Sequence, residues 1–192
     1  MTEKQPYDRV QSYDDFEVRR YPGHVLAEIV VGGPFDEAGN RAFRSLFAYI
    51  SGENVSRTKV AMTAPVVQDA AGSRIAMTAP VVQQPVDAGD AEDGGYRVAF
   101  VLPASLTIDS APRPTNSEVH LRAVPEALVA VIRYRRGRWT QDSYTRHLDE
   151  LRQAISAAGL TPVGQPRFAR YDPPFKPAFL RRNEVLINVN AS

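Results

Sequence analysis

The chain contains no cysteine. That absence excludes a disulfide scaffold, thiolate metal sites and a cysteine nucleophile. No stretch approaches the roughly 18 uncharged apolar residues of a membrane-spanning helix. The start, Met1-Thr2-Glu3-Lys4-Gln5-Pro6, holds no apolar signal-peptide core, so a cytoplasmic protein without a membrane span is expected. Histidine is scarce: His24, His120 and His147 stand apart, without the spacing of metal ligands, and each reads as a packing or surface residue. Also missing are a Gly-rich phosphate loop, His-Glu-x-x-His, Gly-x-Ser-x-Gly and a dinucleotide fingerprint. No serine sits on a recognisable strand-to-helix turn, and Asp149 and Glu150, adjacent on a helix, point in different directions. Nucleophilic and metal-assisted catalysis therefore have no anchor in the sequence.

What is present suits a globular domain: 192 residues, 43% hydrophobic and 23% charged, the length of one ordinary domain. A net charge of +1 conceals an asymmetry, because residues 1–96 carry 9 basic and 14 acidic side chains whereas residues 97–192 carry 14 and 8. Halves of opposite sign can attract across an interface. Alternatively, Arg133, Arg135, Arg136 and Arg138, or the pair Arg181-Arg182, can receive an anionic ligand. Nucleic acid is not an expected partner, since no recognition helix accompanies the arginines and the pI is only about 8.0.

Hydrophobic patterning predicts short strands at 7–10, 16–21 and 24–31, then a helix opened by Pro34 and ended by Gly52. Phe35, Ala38, Ala42, Phe43, Leu46, Phe47 and Ile50 form its apolar stripe. The octapeptide Ala61-Met62-Thr63-Ala64-Pro65-Val66-Val67-Gln68 recurs 15 residues later as Ala76-Met77-Thr78-Ala79-Pro80-Val81-Val82-Gln83, which suggests a hairpin. Pro65 and Pro80 cannot donate to a ladder, so each copy is expected at a sheet edge or ending in a bulge. Strands follow at 96–102, 119–124 and 128–134, then a helix over 140–158 with Tyr144, Leu148, Leu151 and Ile155 on one face. Strands at 167–171 and 183–189 complete the chain.

Strand 25–31 with its helix matches strand 128–134 with its helix, 103 residues on. Two βαββ halves, about 7–102 and 117–190, predict an α+β fold in which both helices cover one mainly antiparallel sheet, a single domain spanning 1–192. Phe35, Phe43 and Phe47 read first as core, yet two phenylalanines in successive helical turns also suit a flat apolar ligand. Met62 and Met77 are polarizable enough to line such a site, and methionine can ligate haem iron.

The run Tyr171-Asp172-Pro173-Pro174-Phe175-Lys176-Pro177, closed by Arg181-Arg182-Asn183-Glu184-Val185, resembles the C-terminal signature of the SOUL haem-binding family. Lys59 to Val66, Phe16 to Tyr21 and Pro34 to Ala38 resemble that family in the same order. The resemblance implies a distorted β-barrel of two βαββ halves with outer helices, related to gyrase-inhibitor-like domains. It also implies non-covalent binding of haem or a related tetrapyrrole in an apolar groove, as a carrier or buffer without catalysis. Carried across by position, Asn40, Phe43, Phe47, Met62, Phe175, Lys176 and Arg181 are the cofactor-binding candidates, with Lys176 or Arg181 pairing a propionate. The iron ligand stays open. Two rival functions remain: a gyrase-inhibitor-like binder or hydrolase of other hydrophobic small molecules, with Glu184 and Tyr134 as its ionisable groups, and a protein-interaction module with a closed, well-packed first helix and no ligand.

Overall fold

The computed structural model describes residues 3–55, 72–86, 95–135, 140–172, 177 and 181–190. Its centre is a nine-stranded antiparallel sheet. In spatial order the strands are β10 (His120–Val124), β4 (His24–Gly32), β8 (Gly95–Val101), β7 (Val81–Pro85), β12 (Thr161–Arg170), β13 (Arg182–Asn190), β11 (Ala127–Arg135), β3 (Glu17–Tyr21) and β2 (Asp8–Ser12). Two small pairs flank it: β1 (Glu3–Lys4) with β6 (Thr78–Ala79), and β5 (Asn54–Val55) with β9 (Arg113–Pro114).

The strand order is symmetric about the β7–β12 seam, where Gln83 pairs with Phe168 and Val82 with Ala169. On either side, β4-α1-β7-β8 and β11-α2-β12-β13 hold equivalent positions, with α1 at Phe35–Ser51 and α2 at Gln141–Ala157. The strand leading into each unit pairs with the other: β3 joins β11, and β10 joins β4.

Both helices cover one face of the sheet. α1 buries Phe35, Ala38, Ala42, Leu46, Tyr49 and Ile50, and α2 buries the four residues of its predicted stripe. Gly52 at φ 125° ends α1, and Thr140 caps α2 by accepting the Ser143 N–H. Asp36 in the first turn of α1 also accepts the Gln141 N–H at 2.8 Å, which joins the two helix starts.

Two expectations need correction. The sheet is open, not a closed barrel: among the described residues, β2 and β10 are unpaired edges. Both resist further pairing, because β2 is fully exposed, charged and bulged between Arg9 and Gln11, while β10 presents His120 and Arg122 to solvent. The second octapeptide copy lies at an edge only in part: its β6 pairs with β1 in a two-stranded sheet, whereas its β7 is at no edge. Its Pro80, after a cis Ala79–Pro80 bond, separates β6 from β7, and β7 is interior to the sheet. The proline thus falls where no ladder N–H is required. The first copy, and the hairpin predicted from it, lie outside the described residues.

A buried polar bridge crosses the seam. Arg170 of β12 donates to the Gln83 side-chain oxygen at 2.8 Å, and the Gln83 amide donates to the Phe35 carbonyl at 2.9 Å. Gly39 makes room for it: a Cβ there would lie 2.4 Å from the Arg170 Nη1. Phe35 stacks on Tyr144 of α2 at 5.0 Å and packs against Phe168. Gln83→Leu keeps the volume but removes both bonds, leaving buried polar groups short of a partner. It is expected to lower unfolding free energy by ~1–3 kcal/mol in urea titrations; unchanged stability contradicts a structural role for the bridge.

Candidate functional site

The small residues Ala38 and Ala42 let α1 lie close to the sheet, and this close approach turns part of its aromatic stripe outward. Phe35 is core, but Phe43 and Phe47 are 38% and 46% exposed. Their rings stack at 5.5 Å and 13°, and Phe43 meets the buried Phe100 of β8 edge-on at 5.6 Å. Asn40, also exposed, stands one turn before Phe43 on the same side. Ile75, Met77 and Val81 pack, partly buried, against the same hydrophobic cluster, and the Ile75 N–H bonds the Ile50 carbonyl at 2.8 Å. A contiguous exposed aromatic surface of this kind marks a binding site more often than an isolated apolar side chain does.

A buried cation, Arg170, lies against α1 at Gly39. Burial pushes the Arg170 pKa down to about 10, and the positive charge of Arg181 adds to that shift. Arg181 is half-buried. The structure brings Asn40, Phe43 and Phe47 together on one side of α1, while Arg181 immediately precedes β13. Met62, Phe175 and Lys176 lie outside the described residues. Gly39, Gln83 and Arg170 were not anticipated as determinants of the site, and a glycine inside a helical stripe was their only signal.

No histidine reaches the aromatic face. His147, on α2, stacks on Tyr134 at 3.8 Å and bonds Glu150 at 2.7 Å. His24 donates Nδ1–H to the Pro22 carbonyl at 2.9 Å; burial, helped by the charges of Arg167 and Arg122, holds its pKa below the usual value. His120 is exposed on an edge strand. Among the described residues no group of three or more His, Cys, Asp or Glu is placed to hold a metal ion.

Glu184 and Tyr134 do not form a hydrolytic pair. Glu184 is fully buried on the face away from the helices, where it accepts hydrogen bonds from Arg19 (2.8 and 3.0 Å), Arg182 (2.6 Å), Arg133 (3.3 Å) and the Tyr171 hydroxyl (2.8 Å). Tyr134 points to the helix side of the sheet, in the α2 cluster. The same network occupies Arg133 and Arg182, two of the arginines considered for an anionic ligand; Arg136 and Arg138 lie outside the described residues. The opposed halves do meet in ion pairs, Arg97 and Arg122 with Glu28 and Arg133 with Glu17.

Burial pushes the Glu184 carboxyl up, but Arg19 and Arg182 outweigh it and hold its pKa below the ordinary carboxylate value. The stabilisation is therefore present above the unfolded-state pKa of about 4.3 and fades as pH falls through it towards the lower folded value. Glu184→Gln, which leaves buried arginine without its anion, is expected to cost ~3–5 kcal/mol at neutral pH. It should also flatten the acid limb of stability measured by denaturant titration between neutrality and acid pH; an unchanged acid limb contradicts this assignment.

The sequence profile described as SOUL heme-binding protein matches residues 2–71 and 67–188. Heme-binding protein 1 of Xenopus tropicalis is 28% identical over 171 residues, covering 88% of this chain and 81% of that protein. Among solved structures, the EcmrR chain of an EcmrR–DNA complex superposes with TM-score 0.61 at 11% identity over 91% of this chain, which spans 57% of that chain's length. A hydrolase from Listeria innocua gives TM-score 0.55 at 13% identity, covering 98% of this chain and 94% of that one. At such identities the two structures share the fold alone. The profile match, running from one end of the fold to the other, shows that the chain belongs to the SOUL heme-binding protein family.

Proposed function

We propose that the protein binds haem or a related tetrapyrrole non-covalently on the outer face of α1, as a carrier or buffer with no catalysis of its own. The observation that carries this reading is the stacked, exposed pair Phe43 and Phe47. Two near-parallel, stacked and exposed rings offer apolar aromatic surface to a flat macrocycle, which gains from leaving water and from offset stacking. Asn40 supplies a polar contact at one end. Arg181 pairs a propionate, and the family resemblance adds Met62, Phe175 and Lys176 to the lining. Iron supplies redox and ligand-binding chemistry when the group is bound; the residues of this chain hold its edge and shield one face. With no described histidine on the platform, the protein holds the macrocycle by its face and propionates, as suits reversible carriage. In this role residues 1–192 act as one domain, in the cytoplasm, with a small-molecule partner and no nucleic acid.

Titration with hemin, followed at the Soret band, is expected to give a saturable shift at micromolar protein. Phe43→Asp with Phe47→Asp should abolish it, and Arg181→Gln should weaken it by about tenfold or less, the worth of one partly exposed charge-assisted contact. An unsaturable signal, or equal binding by the double variant, overturns the proposal.

A further inference from the structure

The sheet face away from the helices carries a cavity of about 270 Å³ that the α1 site does not use. Its floor is apolar, with Leu26, Val82 and Ala99 from three neighbouring strands. The cavity is walled by an irregularity in β12, whose register with β13 shifts between Val163 and Arg167, with Gly164 at φ 70°. No Asp or Glu lines it among the described residues. Arg97 and Arg122 at its rim both pair with Glu28, at 3.4 and 2.8 Å. Arg167 differs from them: it has no carboxylate within ion-pair distance among the described residues, and its hydrogen bond goes to the neutral Asn188 side chain. A second, smaller hollow continues past Arg167 to His24 and Tyr21.

We propose that this cavity binds a small amphipathic carboxylate, its head on Arg167 and its chain on Leu26, Val82 and Ala99. Arg167 is half-buried. A partly desolvated guanidinium without a counter-anion is costly, and a carboxylate entering beside it recovers part of that cost through a charge-assisted, bidentate contact. A lining with Arg167 and no acid among the described residues favours an anion over a cation. The volume, at the small end for ligand clefts, excludes a tetrapyrrole, so this site is separate from the platform on α1. Burial and the charge of Arg122 hold the Arg167 pKa below its usual value, in keeping with an unmatched cation.

The probe is octanoate, titrated calorimetrically into the full chain beside octanol and octyltrimethylammonium. Saturable octanoate binding is expected, with octanol weaker by about tenfold or more and no binding of the cation. Arg167→Gln should weaken octanoate by at least about tenfold. Should that variant not fold, amide shift mapping on the wild type decides: octanoate should move Leu26, Val82, Ala99 and Gly164. One equivalent of hemin should not displace it. Absence of saturable binding, equal binding of octanol, equal binding by a folded Arg167→Gln variant, shifts confined to α1, or displacement by hemin each overturns the proposal.

Discussion

The guanidinium of Arg170 is buried at the β7–β12 seam, where the two halves of the sheet meet. It lies between the ring of Phe168 and the backbone of α1 at Gly39, and its bond to Gln83 continues to the carbonyl of Phe35. Buried polar groups are costly unless satisfied, so this chain of contacts admits little variation in how α1 sits. The helix must approach closely at Gly39, Ala38 and Ala42, and its axial rotation is set by the Phe35 carbonyl. With that rotation set, Leu46 and Ile50 turn inward and Phe43 and Phe47 turn outward. The exposed aromatic platform follows from the packing of the seam and is not a defect in the core.

The two faces of the sheet serve different ends. The helix side holds the apolar clusters under α1 and α2. The other side carries charge: the Arg19–Glu184 network at one end, and Glu28 with its two arginines at the other. Glu184, the most reactive-looking acid in the C-terminal motif, is saturated by arginines and a tyrosine hydroxyl, which removes it from acid–base chemistry.

Much of the fold was legible in the sequence because its signals are local. The α2 stripe Tyr144, Leu148, Leu151 and Ile155 follows the helical period, and all four residues are buried. Pro34 and Gly52 bracket α1 as predicted. The duplicated strand–helix order indicated the α+β class, and the ordered SOUL motifs indicated the family. What was not legible depends on distant partners. Periodicity placed Phe43 and Phe47 in the same stripe as Leu46, and only the depth of α1 on the sheet separates them. The exchange of β3 and β10 between halves, the open edges and the convergence of Arg19 on Glu184 over 165 positions of sequence leave no local trace. Of the site candidates, Asn40, Phe43 and Phe47 share one helix face, whereas the role of Arg170 beneath them could not be read from a strand-end arginine.

The claim on which this account rests is that the outer face of α1 is where a tetrapyrrole lies. Ring-current shifts of the backbone amides on adding diamagnetic zinc protoporphyrin test it most directly. The account predicts that the largest shifts fall on Asn40, Phe43 and Phe47, with smaller ones at Met77 and Arg181. Largest shifts at Leu26, Ala99 and Arg167, on the opposite face of the sheet, would contradict it.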